Sequence, residues 1–421
     1  MTEFEEVIND NGHILFWQPE NQYRLNSTRI LGMDLDWTFI KPIKGKIHPI
    51  DENDWEFLNT DLSRIKSKIE EGYKFVIFTN QGGLLNLTTG KLGIEGFKNR
   101  WNAIYTKLQN EHGINSVYLV ASLYDDFNRK PFAGMWEYIE TVLNGDIKVD
   151  RTTSLYVGDM AGRKGDYSSS DLLFAINLGV NFQVPEVFYN MPNGKAVSNR
   201  TSVLMKAVEK NEKVFNGRIF IDEFDKTISQ KNKLILEDIK KLLLERQCLI
   251  MFVGSPASGK TSYYQENIKN IENHIYLSND TFIGTPGKFN KEIEKTLRNS
   301  ISVVIDNTNG TSKVREKYIK IARDINKESG KDIKIIVVKF NTEKEIVLHL
   351  NAIRTKLINT CILKGNKDCK HNVPAIAIHS YWKRLENPEK KEGIDYIYDI
   401  EYEPIFNYTD GVSREMFEQY L

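Results

Sequence analysis

The chain has 421 residues, and 57 Lys and Arg balance 57 Asp and Glu, so its formal charge is zero. At about 100–200 residues per domain the length implies two or three domains, and an apolar fraction of 40% with 11% aromatics excludes a disordered chain. The zero also excludes a histone-like or polybasic-tail protein, but not nucleic acid as a substrate, because a local basic groove disappears in the sum.

Three cysteines, Cys248, Cys361 and Cys369, cannot form a disulfide framework and fit a reducing compartment. The acidic start, residues 1–10, has the features of neither a secretory signal nor a transit peptide. The longest apolar run, residues 248–253, is far short of the about 20 residues of a membrane span and reads as a buried strand. The expectation is a soluble, intracellular protein of the nucleus or cytoplasm, with no membrane partner.

Two α/β patterns follow one another. The first begins with an apolar run at 30–33 that ends in acidic residues, then a helix over 55–69. A strand over 75–78 ends at Thr79 and Asn80. A helix over 94–109 leads to a strand over 116–120, a helix over 135–143 to a strand over 154–157, and a last helix covers 171–177. A polar stretch at 190–201, with Pro192 and Gly194, is the best linker candidate. Beyond it a helix over 232–246 precedes a strand over 249–253, with further strands over 274–277, 302–305 and 333–340. Alternating strands and helices predict parallel sheets covered on both faces. In both halves the polar residues gather just after strand ends, where open parallel sheets bind ligands.

Asp34-Leu35-Asp36-Trp37-Thr38 follows the first strand. Two carboxylates two residues apart suit a division of labour: Asp34 attacks phosphorus, and Asp36 protonates the leaving oxygen and then activates water. A bare pair of this kind is usually two surface acids, and three later pieces shift that balance. Thr79 ends the second strand, where its hydroxyl can hold a phosphoryl oxygen. Lys130 can offset charge on the phosphate and Asp34, and Asp159, ending the fourth strand, can bind Mg²⁺ with Asp34 and a backbone carbonyl.

In the second pattern Gly254-Ser255-Pro256-Ala257-Ser258-Gly259-Lys260-Thr261 fits GxxxxGK[ST] directly after an apolar strand. Backbone N–H groups of such a loop wrap phosphate at a helix start. Lys260 would neutralise β/γ-phosphate charge and Thr261 would bind Mg²⁺, which points to a nucleoside triphosphate. Asp280, after the next strand, can take the proton from an acceptor hydroxyl, and Asp306-Asn307-Thr308-Asn309 ends the strand after that.

The first set of motifs resembles the haloacid dehalogenase superfamily of phosphatases and, more narrowly, the phosphatase domain of the polynucleotide kinase 3′-phosphatase family. Carrying the resemblance are the 34–38 motif, residues 75–81, Arg129-Lys130-Pro131 with Gly134-Met135-Trp136, Gly158-Asp159 and the stretch from Asp166 through Asp171. It implies an aspartyl-phosphate on Asp34 and a Mg²⁺ site of Asp34, Asp36, Asp159 and Asp171, the last orienting the metal's waters. The family commonly has Gly where this chain has Trp37. The second set is similar to the kinase domain of the same family, which implies ATP in the loop from Gly254 to Thr261, Asp280 as base, 306–309 shaping the acceptor site, and Arg354 as a lid arginine. The family often has Arg where this chain has Asn279.

An insertion at 355–371 holds Cys361, Cys369 and His371. A structural zinc needs four ligands at tighter spacing, so these read as ordinary insertion residues. Between 351 and 384 the basic residues Arg354, Lys356, Lys364, Lys367, Lys370, Lys383 and Arg384 face one acid, Asp368, a net of +6, with Tyr381 and Trp382 among them. A charge run is by default a solvated face. Beside an acceptor site, a cationic aromatic surface fits a nucleic-acid end.

The implied fold is α/β in two domains: a haloacid dehalogenase-like 3′-phosphatase at 1–200 and a P-loop 5′-kinase with a helical lid at 232–421, joined by a linker region at 201–231. The family's forkhead-associated domain is not expected. The implied role is healing of DNA ends, with RNA ends as a variant, ahead of a ligase in repair. Two alternatives stay open: a metabolite phosphatase fused to a small-molecule kinase, and an end-binding module with vestigial catalytic sites.

Overall fold

The computed structural model describes residues 4–20, 26–85, 93–191, 215–366, 369, 372–406 and 411–421. Its contacts divide the chain into two compact units, Met1–Asn216 with Thr355–Lys370 and Glu418–Leu421, and Gly217–Arg354 with His371–Phe417.

The first unit is built on strands β1 (Phe4–Asn9), β2 (Gly12–Trp17), β3 (Ile30–Met33), β4 (Ile40–Lys41), β5 (Glu56–Phe57), β6 (Lys74–Asn80), β7 (Val117–Ser122), β8 (Leu155–Val157) and β9 (Asn181–Gln183). Seven of them form one sheet in the order β1-β2-β7-β6-β3-β8-β9, and β4 pairs with β5 apart from it. The central strands run parallel. Their alternate residues feed two cores, Val76 and Phe78 on one face and Phe75 and Ile77 on the other. That two-sided burial is why the strands read as continuous apolar runs. Because β3, β6 and β8 are neighbours, Asp34, Thr79 and Asp159 leave the same edge of the sheet.

Two elements differ from expectation. The hairpin of β1 and β2 caps one edge antiparallel, turning at Asp10 and Asn11. The helix expected over 55–69 begins only at Ser63. Asn59 and Asp61 accept the backbone N–H groups of Asp61 and Ser63, each at 3.0 Å, and these local turns compete with helix. They leave Glu56–Phe57 free to pair with Ile40–Lys41.

The second unit holds β10 (Cys248–Val253), β11 (His274–Leu277), β12 (Ser302–Asp306), β13 (Lys334–Phe340) and β14 (Tyr396–Ile400). All five are parallel, in the order β11-β12-β10-β13-β14. Ile250 and Phe252 face one core and Leu249, Met251 and Val253 the other. The order puts the ends of β10, β11 and β12 together, and with them the P-loop, Asp280 and Asp306. The half-buried edge strand β14 was not expected. The helix before β10 spans Thr227–Glu245, and a short helix covers Gly217–Asp222, so helix occupies part of the stretch read as linker; residues 201–214 lie outside the described residues.

Among the described residues one helix, Lys344–Leu363, is long and apolar enough to cross a membrane. It carries Arg354 and Lys356 and buries Ile346, Val347, Ile353 and Ile358, as a core helix does. Past its end the chain turns at Gly365, φ 75°, and Cys361 and Cys369 are joined by a disulfide, with Cα atoms 5.9 Å apart. This corrects the reading of both as ordinary insertion residues. His371 lies outside the described residues.

Gly32 in β3 tests the packing. A Cβ there would lie 2.8 Å from the Tyr156 ring and 3.1 Å from Phe78 and Trp136. Gly32→Ala should therefore overpack this core and cost about 1–3 kcal/mol. Urea unfolding of the full chain, followed by tryptophan fluorescence, should show the lower midpoint.

Candidate active sites

The first site opens at the ends of β3, β6 and β8. Asp34 N–H donates to Val157 O at 2.9 Å, which ties β3 to β8 at the site. Behind Asp34 lies Lys130, fully enclosed, with four oxygens around its ammonium: Asp34 Oδ1 at 2.5 Å, Asp171 Oδ1 at 2.7 Å, Tyr156 OH at 2.8 Å and Phe78 O at 3.0 Å. The Lys130 backbone is pinned to the end of β6. Its N–H donates to Asn80 Oδ1 at 2.9 Å, and Asn80 Nδ2 donates to its carbonyl at 3.1 Å.

Oxygens of Asp34, Asp159 and Asp171 lie within 4.8 Å of one another. Burial raises the Asp34 carboxyl well above its ordinary range, against the pull of Lys130. Burial first, then the Asp171 charge, raises Asp159 to about 7. Burial works against charge on Lys130, yet Asp171 and Asp34 outweigh it and hold the ammonium up. Three carboxylates on one lysine are short of positive charge, and an all-oxygen donor set suits a hard divalent cation such as Mg²⁺. The Asp36 carboxylate stands outside this group, although the resemblance placed it with the metal residues.

Asp36 is held elsewhere. Gln81 Nε2 donates to Asp36 Oδ2 at 2.8 Å and to Thr79 Oγ1 at 2.9 Å, joining the acid to the hydroxyl. Trp37 adopts φ 61°, in the left-handed region that favours Gly. This accounts for the small residue common at that position, and the Trp37 indole is anchored by donating to Ile47 O at 2.7 Å. The cleft has a volume of about 1540 Å³ and is lined by Asp34, Asp36, Thr79, Lys130 and Asp159 among others.

In the second unit the P-loop follows β10 and leads into the helix Lys260–Asn267. Ala257, φ 61°, and Gly259, φ 87°, bend the loop into left-handed turns. Lys260 Nζ donates to the loop's own carbonyls, Ser255 O at 2.6 Å and Gly254 O at 3.1 Å. The buried hydroxyls of Ser255 and Ser258 have no hydrogen-bond partner. A cradle with unmatched donors fits a phosphate chain. Burial lowers Lys260 to about 8, with Asp306 and Asp280 opposing and Arg354 reinforcing the shift, so these expected residues act on one another electrostatically.

Asp306, the last residue of β12, is tied to the P-loop threonine. Its Oδ2 accepts from Thr261 Oγ1 at 2.6 Å and from Tyr276 OH at 2.7 Å, the carboxylate–hydroxyl pairing that holds Mg²⁺ in P-loop enzymes. Asn279 N–H donates to Asn307 Oδ1 at 2.9 Å, which fixes the Asp280 loop against the end of β12. The basic segment is partly spent on ion pairs: Lys356 pairs with Asp125, and Lys364 with Asp10 at 2.7 Å. Trp382 is half-buried, in edge contact with Tyr381, while Lys367, Asp368 and Lys370 lie outside the described residues.

Sequence reasoning passed over Asn80, Gln81, Tyr156 and Tyr276, and did not give Asp306 its pairing with Thr261. Gln81 was legible, since it stands two residues after Thr79 in a strand-end motif. Tyr156 and Tyr276 arrive through strand pairing and left no local signal.

A parallel α/β sheet that gathers an aspartate pair, a buried lysine and a group of three carboxylates fits a phosphotransfer protein, in a chain that also carries a second parallel sheet with a P-loop motif. Residues 29–189 match the family described as polynucleotide kinase 3 phosphatase, and the chain belongs to that family through this domain. It is 27% identical over 389 residues to a bifunctional polynucleotide phosphatase/kinase of Schizosaccharomyces pombe, covering 91% of this chain and 82% of the relative. It is likewise 27% identical over 395 residues to a putative bifunctional polynucleotide phosphatase/kinase of Acanthamoeba polyphaga mimivirus, covering 88% and 83%. A polynucleotide 3′-phosphatase of Saccharomyces cerevisiae, 28% identical, covers 38% of this chain with 87% of its own length.

The Asp159 shift makes metal binding pH-dependent. Below about 7 a proton competes for that carboxylate, so Mg²⁺ affinity at this site should fall about tenfold per pH unit and level off above. Titration calorimetry on the Lys260→Ala chain across that range checks it; a pH-independent affinity would contradict it.

Proposed function

We propose that the chain is a bifunctional nucleic-acid end-healing enzyme that removes 3′-phosphates and phosphorylates 5′-hydroxyls with ATP. The observation that carries the reading is the Lys130-centred carboxylate group beside Asp36 and Thr79, in a chain that also holds a complete P-loop. The relatives that match most of the chain bear both activities in their names.

At the first site Asp34 attacks phosphorus, while Thr79 and nearby backbone N–H groups hold a phosphoryl oxygen. Asp36 protonates the departing 3′-oxygen, then takes a proton from the water that hydrolyses the aspartyl-phosphate. Lys130 keeps the Asp34 carboxylate oriented throughout. Asp34, Asp159 and Asp171 would hold Mg²⁺, which would supply the positive charge that Lys130 alone cannot. At the second site the P-loop grips the triphosphate, and its anionic oxygens draw Lys260 away from the Gly254 and Ser255 carbonyls. Asp280 takes the proton of the 5′-hydroxyl, and Arg354 offsets charge on the transferring group.

A polymer end is favoured over a small metabolite by the cleft, whose volume exceeds the about 300–1,000 Å³ of small-molecule pockets. The products, a 3′-hydroxyl and a 5′-phosphate, are what a ligase joins. DNA ends in repair are the leading substrate, with RNA ends as the variant.

An oligonucleotide with a 5′-hydroxyl and a 3′-phosphate, incubated with ATP and Mg²⁺, tests the reading. Asp34→Ala should lower 3′-phosphate release at least about a thousandfold and leave 5′ labelling intact, and Lys260→Ala should do the reverse. Both activities surviving both changes, or a preference for free mononucleotides, would overturn it.

A further inference from the structure

The buried face of the helix Ile94–His112 reads Phe97, Arg100, Trp101, Ile104, Tyr105 and Leu108. Arg100 is the one charge in that apolar stripe, and it is only 2% exposed. A buried guanidinium loses hydration worth several kcal/mol unless its N–H groups are matched. They are not all matched here. Nε has no hydrogen-bond partner, and Nη1 stops 3.9 Å from Asp36 Oδ1, beyond a hydrogen bond.

Asp36 shows the complementary defect. Its Oδ1 is buried without a hydrogen-bond partner, while Gln81 occupies Oδ2. The other acid acting on Arg100 is Asp54, whose carboxylate already accepts the N–H groups of Ile43 at 2.9 Å, Lys44 at 2.8 Å and Ile50 at 3.0 Å. Two unmatched groups of opposite charge thus face each other in the wall of the Asp34 cleft, which both line.

We propose that Arg100 is a positioning residue for proton transfer by Asp36. It holds the buried Oδ1 side of the carboxylate, which Gln81 leaves unsupported, and so fixes the orientation in which Asp36 gives and takes its proton. This rests on the phosphatase reading above. In the first step an Asp34 oxygen bonds to phosphorus, the bond from phosphorus to the 3′-oxygen breaks, and the proton on Asp36 moves to that oxygen to give the 3′-hydroxyl. The carboxylate left on Asp36 faces the fixed charge of Arg100. In the second step water bonds to phosphorus, Asp36 takes its proton, the bond to Asp34 breaks, and inorganic phosphate leaves.

The test compares two leaving groups in the full chain. A 3′-alkoxide needs the proton, whereas p-nitrophenolate departs without it. The ratio kcat/KM reports only steps through formation of the aspartyl-phosphate, so it isolates the acid step. Arg100→Gln should lower kcat/KM for an oligonucleotide 3′-phosphate about 10- to 100-fold and for p-nitrophenyl phosphate less than about threefold. Arg100→Lys, which keeps the charge but not the fork, should show the same split at smaller size. The 5′-kinase activity of the same preparations controls for folding, and Arg100→Lys decides the matter by its split if Arg100→Gln does not fold. Equal losses on both substrates, or none, would overturn the proposal while leaving the phosphatase reading standing. A wild-type chain inactive on the oligonucleotide 3′-phosphate would overturn both.

Discussion

One buried ammonium organises the first site. Lys130 has three protons to donate and four oxygens within 3.0 Å, two of them from carboxylates, Asp34 after β3 and Asp171 in the first turn of the helix Ser170–Leu178. Remove it, and Asp34, Asp159 and Asp171 would repel one another in a pocket from which most water is excluded. With it, Asp34 keeps one oxygen bound and the other available for attack. Burial first, and the neighbouring carboxylates after it, keep the Asp34 and Asp159 carboxyls raised despite the lysine. Three carboxylates on one lysine set the demand for a divalent cation.

The two sites use buried lysines in opposite ways. Lys130 meets carboxylates already in place, so its charge is held up before any ligand arrives. Lys260 meets only carbonyl oxygens at close range, and burial lowers it to about 8. Its missing counter-charge is the substrate itself. In the proposed reading the first lysine is scaffolding for a nucleophile, and the second is a receptor for an anion.

Much of this was legible in the sequence because several of the candidate residues come at or soon after the end of a short strand, and the parallel order of the strands gathers those ends. Asp34, Thr79, Asp159, Thr261 and Asp280 all fall there. What the sequence hid depends on packing between distant segments. Arg100 meets Asp36 only because a helix crosses the sheet, although a charge at the i+3 position of a buried face beginning at Phe97 was a visible anomaly. The β1–β2 hairpin was overlooked: its turn residues are Asp10 and Asn11, its first arm carries two acids, and only the second arm, Ile14 to Trp17, is a continuous apolar run. The Cys361–Cys369 pairing depends on a chain reversal at Gly365 that cysteine spacing does not reveal.

The central claim is that Lys130 holds Asp34 ready to form a covalent bond to phosphorus. Rapid acid quench of the protein during turnover of an oligonucleotide carrying a radiolabelled 3′-phosphate, followed by peptide mapping, tests it most directly. Label released by hydroxylamine and located on the peptide containing Asp34 is the predicted result. Turnover with no protein-bound label on the millisecond scale, or label on another residue, would contradict it.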